Sequence, residues 1–283
     1  MSATTMRIRK QISHAMVGLC LACAGGVVAL LVLVMSYLVA IGAGSLNLEF
    51  FTAVPSGDVT NPGGMKHALV GTLVLLVLAS LVGIPVGVLA GVFLSEYGSS
   101  RLAPPVRFTA DVLAGVPSIV VGILGYELLV VPLGNYNGWA GAGALAFIMI
   151  PIVARTTEEM LRLVPKSYRE GSLALGATKS QTILRVVLPS MSGSIITGVM
   201  LAMARVAGET APLLFTALGS RLLSVDPNKP FPSLTVQVYT YATGPYPAQR
   251  ELAWSGILVL ICLLFVINVT VRAVMAKTMK VRA

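Results

Sequence analysis

Six stretches of this 283-residue chain run for roughly eighteen residues or more with hardly a charge, and a helix needs about 20 such residues to cross a hydrocarbon core of about 30 Å. That length constrains the fold more than any other feature. The spans are predicted at His14 to Ile41, Ala68 to Leu94, Phe108 to Val131, Gly141 to Met160, Ser190 to Ala211 and Ala253 to Met275. The fold class is therefore all-α, a polytopic membrane protein with six transmembrane helices. The first run is too long for a signal peptide and lacks a small-residue cleavage signature, so it is expected to remain as an uncleaved span.

Composition closes the other classes. Hydrophobic residues make up 56% and charged residues 11%, where soluble domains carry about 25% charge. Twenty Lys and Arg against eleven Asp and Glu give a net charge of +9. The basic residues sit between the apolar runs, which excludes both a disordered chain and a nucleic-acid footprint on a solvated domain. Cys20, Cys23 and Cys262 all lie inside apolar runs, so neither a disulfide framework nor a zinc site has its residues. His14 and His67 stand at span ends and do not supply the acid–base or metal set of a membrane enzyme. His67 is expected at the membrane interface.

Lys and Arg accumulate in cytoplasmic loops. With the N-terminus inside, Arg7, Arg9, Lys10, Arg101, Arg107, Arg162, Lys166, Arg169, Lys179, Arg185, Arg272, Lys277, Lys280 and Arg282 fall on the cytoplasmic side, and only Lys66, Arg221, Lys229 and Arg250 fall outside. Both termini are therefore expected in the cytoplasm. The expected organisation is a tail, first helix and outer loop over 1–65, a transmembrane domain over 66–276, and a short tail over 277–283. An irregular, proline-rich outer cap is expected over 216–253, with Tyr239 and Tyr241 in an interfacial stretch and Trp254 as a headgroup anchor.

Gly83, Gly87 and Gly91 give the second span a small-residue face that lets another helix approach closely. Gly115, Pro117, Gly122 and Gly125 punctuate the third span, either as packing glycines or as a break against protein or a wet cavity. The loop over 161–189 is too organised for a plain connector. After Pro165, the stretch Ser167 to Leu175 favours a helix, Gly176 suits a left-handed stop, and a second helix is expected from Ser180. Gly171 and Gly176 have the gap of a phosphate-cradling loop. However, Ala177 stands where Lys is required, although Thr178 fits the position after it, and no strand is expected before the glycines, so no nucleotide is expected there.

Ionisable residues within spans cost at least about 2.5 kcal/mol at the bilayer centre, so they mark polar paths or paired locks. In MARVAGETAPLLFTAL, Arg205 and Glu209 are four apart and are expected to share a helix face. Arg205 lies about 20 Å along the helix from Ser192, deep in the outer half. Arg155 and Glu158, three apart in the fourth span, form a second candidate pair beside Glu159. An arginine partnered by a carboxylate attracts an anion without trapping it, and Thr156, Thr157 and Thr210 add hydroxyl donors. The other open reading is that each pair only locks helices together. Asp111 is expected to pair with Arg107 on a helix surface. Glu127 is open between an ion path and a headgroup contact.

The 161–189 segment resembles the EAA loop of ABC importer permeases. That pattern runs Glu-Ala-Ala, three residues, Gly, nine residues, Ile, one residue, Leu-Pro. Glu170, Gly176, Leu188 and Pro189 match, Val186 replaces the isoleucine, and Gly171 and Ser172 stand for the two alanines. The run ARVAGETAPLLFTALGS from Ala204 to Ser220 looks like the signature of the phosphate-importing branch, as do Gly83-Ile84-Pro85, Leu94-Ser95-Glu96-Tyr97, Ala114 to Val120, Arg155-Thr156-Thr157-Glu158 and Leu234 to Gln237. The resemblance implies a permease subunit of an inorganic-phosphate importer. It would work with a second, similar permease, an ATPase dimer that binds ATP and Mg, and an extracytoplasmic phosphate-binding protein. This chain would have no cofactor or catalytic residue of its own. Tyr168, Glu170, Leu173, Ala174, Leu175, Gly176 and Ala177 would dock the ATPase, and Arg205, Glu209, Arg155, Glu158 and Thr210 would line the substrate path. A permease for sulfate or molybdate is the alternative. A secondary transporter would need an internal repeat that the chain lacks.

Overall fold

The computed structural model describes residues 3–280, with side-chain surroundings for 9–273. The side chains of Arg7, Lys277, Lys280 and Arg282 lie outside that set. In chain order the helices are α1 (Ala3–Gly42), α2 (Leu48–Thr52), α3 (Lys66–Glu96), α4 (Ala103–Gly115), α5 (Ser118–Gly125), α6 (Val131–Leu133), α7 (Gly138–Arg162), α8 (Lys166–Ala174), α9 (Lys179–Thr182), α10 (Leu188–Ala207), α11 (Ala211–Thr216), α12 (Leu234–Ala242) and α13 (Pro247–Lys280). Single π-turns at Tyr126–Val130 and Ile183–Val187 join α5 to α6 and α9 to α10. Among the described residues, five stretches are long and apolar enough to span a membrane: Arg9–Gly42, Lys66–Glu96, Gly138–Arg162, Lys179–Ala207 and Pro247–Ala273. Together α4 and α5 to α6, bent by 104° between Gly115 and Ser118, are also long and apolar enough, as a broken sixth span or a re-entrant loop.

The helix α7 is the axis of the fold. Its small residues Ala140, Ala142, Ala144, Ala146 and Ala154 are buried together with Leu145, Met149 and Val153, so neighbouring backbones come close on several sides. Along one side, α3 brings Gly83 against Met149, Gly87 against Val153 and Gly91 against Thr157 and the carbonyl of Ala154. A Cβ on Gly91 would stand 2.5 Å from Thr157 Cβ and 2.6 Å from the Ala154 oxygen. Gly91→Ala is therefore expected to force the two helices apart and cost about 1–3 kcal/mol. Gly171→Ala, whose Cβ meets nothing within 4 Å, is expected to cost nothing. Thermal unfolding in detergent compares them, and equal midpoints would contradict this packing.

Most of α1 is exposed along Leu19, Leu21, Val27, Leu30 and Leu33, an apolar surface suited to lipid. Among its described side chains, those that join the bundle lie near its end. There Tyr37 meets Trp254 edge to face at 5.7 Å, and Ser255 Oγ donates to the Gly42 carbonyl at 2.7 Å.

Of the two readings open for the third span both hold in part: the chain breaks at Pro117, which follows Val116 in extended backbone, and Gly122 and Gly125 are packing glycines that receive Pro212, Phe215 and Thr216 of α11. Three expectations are corrected. The fifth span ends at Ala207 rather than Ala211, since Gly208 caps it and Pro212 starts α11. The segment 216–253 is not irregular throughout. Ser233 caps α12, whose Leu234, Thr235, Val236 and Tyr241 are buried, so Tyr241 is not interfacial. His67 is fully buried, with Nε2 3.4 Å from Gln237 Oε1 on α12.

Candidate functional site

The exposed face of α10 differs in kind from that of α1. Ser190, Ser194, Thr197, Leu201 and Arg205 follow one another at intervals of three or four and are all exposed, so they form one stripe along the helix. The Ser190 and Thr197 hydroxyls donate back to the Val187 and Gly193 carbonyls at 2.8 and 3.0 Å, which lowers their cost against lipid. The Arg205 guanidinium on a spanning helix remains costly there. This face therefore belongs against water or another polar surface. Beside it a cleft of about 640 Å³ opens between α7, α10 and α13, with Thr156, Ser194, Thr197, Asn268 and Arg272 as its polar lining. Gly198 sits directly on Thr156, so α10 and α7 touch there and the cleft flanks the contact. Arg205 lies seven residues beyond Gly198, about 10 Å farther from the hairpin.

The expected Arg205–Glu209 pair does not form. A spacing of four makes neighbours only while the helix continues, and α10 stops between the two residues. Glu209 and Thr210 are half-buried in the break before α11. The Glu209 backbone carbonyl accepts from Thr235 Oγ1 at 3.0 Å, which ties the break to α12. Among the described residues Arg205 makes no ion pair, and it sits at the carbonyl end of α10, where the helix dipole favours a cation.

At the hairpin end of α7 the charges cluster. The Glu158 side chain is 1% exposed and takes three arginines. Arg107 of α4 donates from Nε and Nη2 to Oε1 at 2.9 and 2.7 Å, Arg162 Nη2 approaches Oε1 at 2.6 Å, and Arg155 Nη1 donates to Oε2 at 3.0 Å. Arg155 Nε also meets Asp111 Oδ1 at 2.9 Å. The expected Arg107–Asp111 surface pair is thus replaced by two bridges from α4 to α7. The cluster keeps one positive charge in excess, and Arg155 is partly open to solvent. Glu159 is exposed and takes no part. Local spacing found Arg155 and Glu158 but missed Arg107, which is 51 residues from its partner.

The hairpin follows the expected outline. The helix α8 ends at Ala174, Gly176 has φ +84°, and Thr178 caps α9 in a reciprocal capping box with Gln181. The second helix does not stop but runs through the π-turn into α10. Tyr168, Glu170, Leu173, Ala174, Leu175 and Gly176 are exposed and Ala177 half-buried, with Leu175 91% exposed. Because a side chain at Gly176 is strained in the left-handed region, Gly176→Asp is expected to loosen the turn by about 1 kcal/mol and to reduce co-purification of an ATPase partner. Full recovery of the partner would contradict a role for this turn.

Residues 83–280 match the family described as binding-protein-dependent transport system inner membrane component. A phosphate transport system permease protein PstA of Yersinia pestis is 41% identical over 83% of this chain and 80% of its own length. The protein of the same name from Haemophilus influenzae is 42% identical over 82% of each. Among solved structures, an inward-facing MetNI methionine ABC transporter chain superposes with a TM-score of 0.60 at 22% identity, covering 75% of this chain and 94% of that one, a likeness of fold. The chain belongs to the binding-protein-dependent transport system inner membrane components, among the phosphate transport system permeases of the PstA type.

Proposed function

We propose that this chain is one permease subunit of an ATP-driven importer that moves inorganic phosphate across a bacterial cytoplasmic membrane. As a membrane component of an ABC transporter it is not itself an enzyme, and ATP is hydrolysed by a separate subunit. The polar face of α10 carries the reading. A spanning helix with a row of hydroxyls and a terminal guanidinium on its open side needs a hydrated path or a polar partner beside it, and a transport path between two permeases supplies both.

The path runs along that face. Arg205, with Glu209 and Thr210 in the adjoining break, forms the outer mouth. Arg155 offers a partly neutralised charge toward the inner end, and Glu158 holds the arginines there in place. An unpaired cation at the mouth attracts a phosphate anion, and arginines shared with carboxylates let it leave. The partners are a PstC-like second permease, a PstB-like ATPase dimer that binds ATP and Mg, and a PstS-like phosphate-binding protein. This chain carries no cofactor of its own. The hairpin tip at Tyr168, Glu170 and Leu173 to Ala177 docks the ATPase from the cytoplasm, and both termini lie inside, a reading supported by the distribution of Lys and Arg.

The test is reconstitution of the four-component complex in liposomes. Binding protein loaded with phosphate is expected to stimulate ATP hydrolysis and drive phosphate across, with sulfate neither stimulating nor entering. Transport of sulfate in place of phosphate would overturn the substrate.

A further inference from the structure

Covalent connection joins the hairpin to α7 through Leu163–Pro165 and to α10 through the π-turn. It does not join the hairpin to α3. Yet α3 packs along α7 through its glycine face, and its end leads directly into α4, so any gate that moves the bundle as a unit has to bring α3 along. Two side chains make that connection, and the stronger is an arginine. Arg169 of α8 donates from Nε and Nη2 to Glu96 Oε1 at 3.1 and 2.6 Å, and Glu96 is the last residue of α3. The same guanidinium donates from Nη1 to the Val164 carbonyl at 2.7 Å and from Nη2 to the Leu161 carbonyl at 3.0 Å, closing the end of α7.

The second arm of the hairpin grips the same place. Lys179, first residue of α9, donates from Nζ to the Glu96 carbonyl at 2.9 Å and sits 3.7 Å above the Tyr97 ring. Both arms thus hold the terminus of α3, one by a fork on the carboxylate and one by a point contact on the backbone. The Glu96 side chain is 6% exposed and that of Arg169 21%, so water competes weakly for the fork. Its planar geometry resists rotation in a way that a lysine does not.

We infer that Arg169 is a positioning residue that transmits movement of the ATPase-docking hairpin to α3 through Glu96, so that hydrolysis and gate movement stay coupled. This rests on the importer reading above. Without the fork, the hairpin still follows the ATPase and still pulls α7 and α10, but the end of α3 is held to it only by the Lys179 point contact and follows less closely. ATP is then spent without a full gate movement.

The experiment measures phosphate moved per ATP hydrolysed by the reconstituted complex for the native chain, Arg169→Gln, Glu96→Gln and the double variant, normalised to assembled complex. The expected result is a fall of about tenfold or more in that ratio for each single variant, with hydrolysis itself within about twofold, and a double variant no worse than either single one because both remove one interaction. A merely structural arginine would lower hydrolysis and transport together and leave the ratio unchanged. Glu96→Gln keeps both carbonyl contacts of Arg169, so it remains informative if Arg169→Gln fails to assemble. A native ratio in assembled Glu96→Gln overturns the inference. Absence of phosphate uptake by the native complex would instead overturn the substrate reading, and the ratio of binding-protein-stimulated to basal hydrolysis then tests the coupling on its own.

Discussion

Arg205→Gln is expected to cut ATP-driven phosphate uptake by roughly ten- to hundredfold, the range that corresponds to losing charged hydrogen bonds worth about 1.5–3 kcal/mol. Assembly with the ATPase is expected to survive. Arg205 is seventeen residues beyond Leu188, about 25 Å along α10 from the hairpin, and it makes no ion pair among the described residues whose loss would loosen the bundle. Arg205→Lys keeps the charge without the fork and is expected to fall between the two. Native uptake by an assembled Arg205→Gln complex would remove Arg205 from the path.

The largest effect on stability is expected at Glu158. Its buried carboxylate serves Arg107, Arg155 and Arg162 together. Truncation leaves three guanidinium groups facing one another with only Asp111 to offset them. Removing one partner from a buried ionic group typically costs about 3–5 kcal/mol, and Glu158→Ala is placed near 3 because the arginines keep part of their hydration. Arg162→Ala removes the arginine that is about half exposed, so its expected cost is below about 1 kcal/mol. Melting of the detergent-solubilised chain orders the two, and equal midpoints would show that the cluster is not held by its carboxylate. Because α4 and α7 share these bridges, Glu158→Ala is also expected to increase proteolysis in the exposed turn at Gly98 to Arg101, between α3 and α4.

The spans were legible because the length of an apolar run is a local property, and Gly176 was legible because a left-handed helix stop has its own residue type. The glycines of α3 were likewise readable as a close-packing face, although only the structure shows that α7 fills it. Pairing was harder. Arg205 and Glu209 have helical spacing, but Gly208 and Pro212 break the helix, and those stop signals outweigh the spacing. Arg107 and Glu158 come from different helices, as do Arg169 and Glu96, and no periodicity within one segment brings such residues together. Asp111 has helical spacing to Arg107, yet both side chains turn to α7. The break in α4–α5 was visible as Pro117, but a 104° turn depends on what the two halves pack against. The prolines around α12 hid a helix that its cap, Ser233, announces.

The most direct test of the central claim is uptake of radiolabelled phosphate and sulfate by phosphate-starved cells with and without this chain, in a background free of other phosphate importers. The account predicts loss of high-affinity phosphate uptake alone, restored by the native chain and not by Arg205→Gln. Undiminished phosphate uptake without the chain would contradict it.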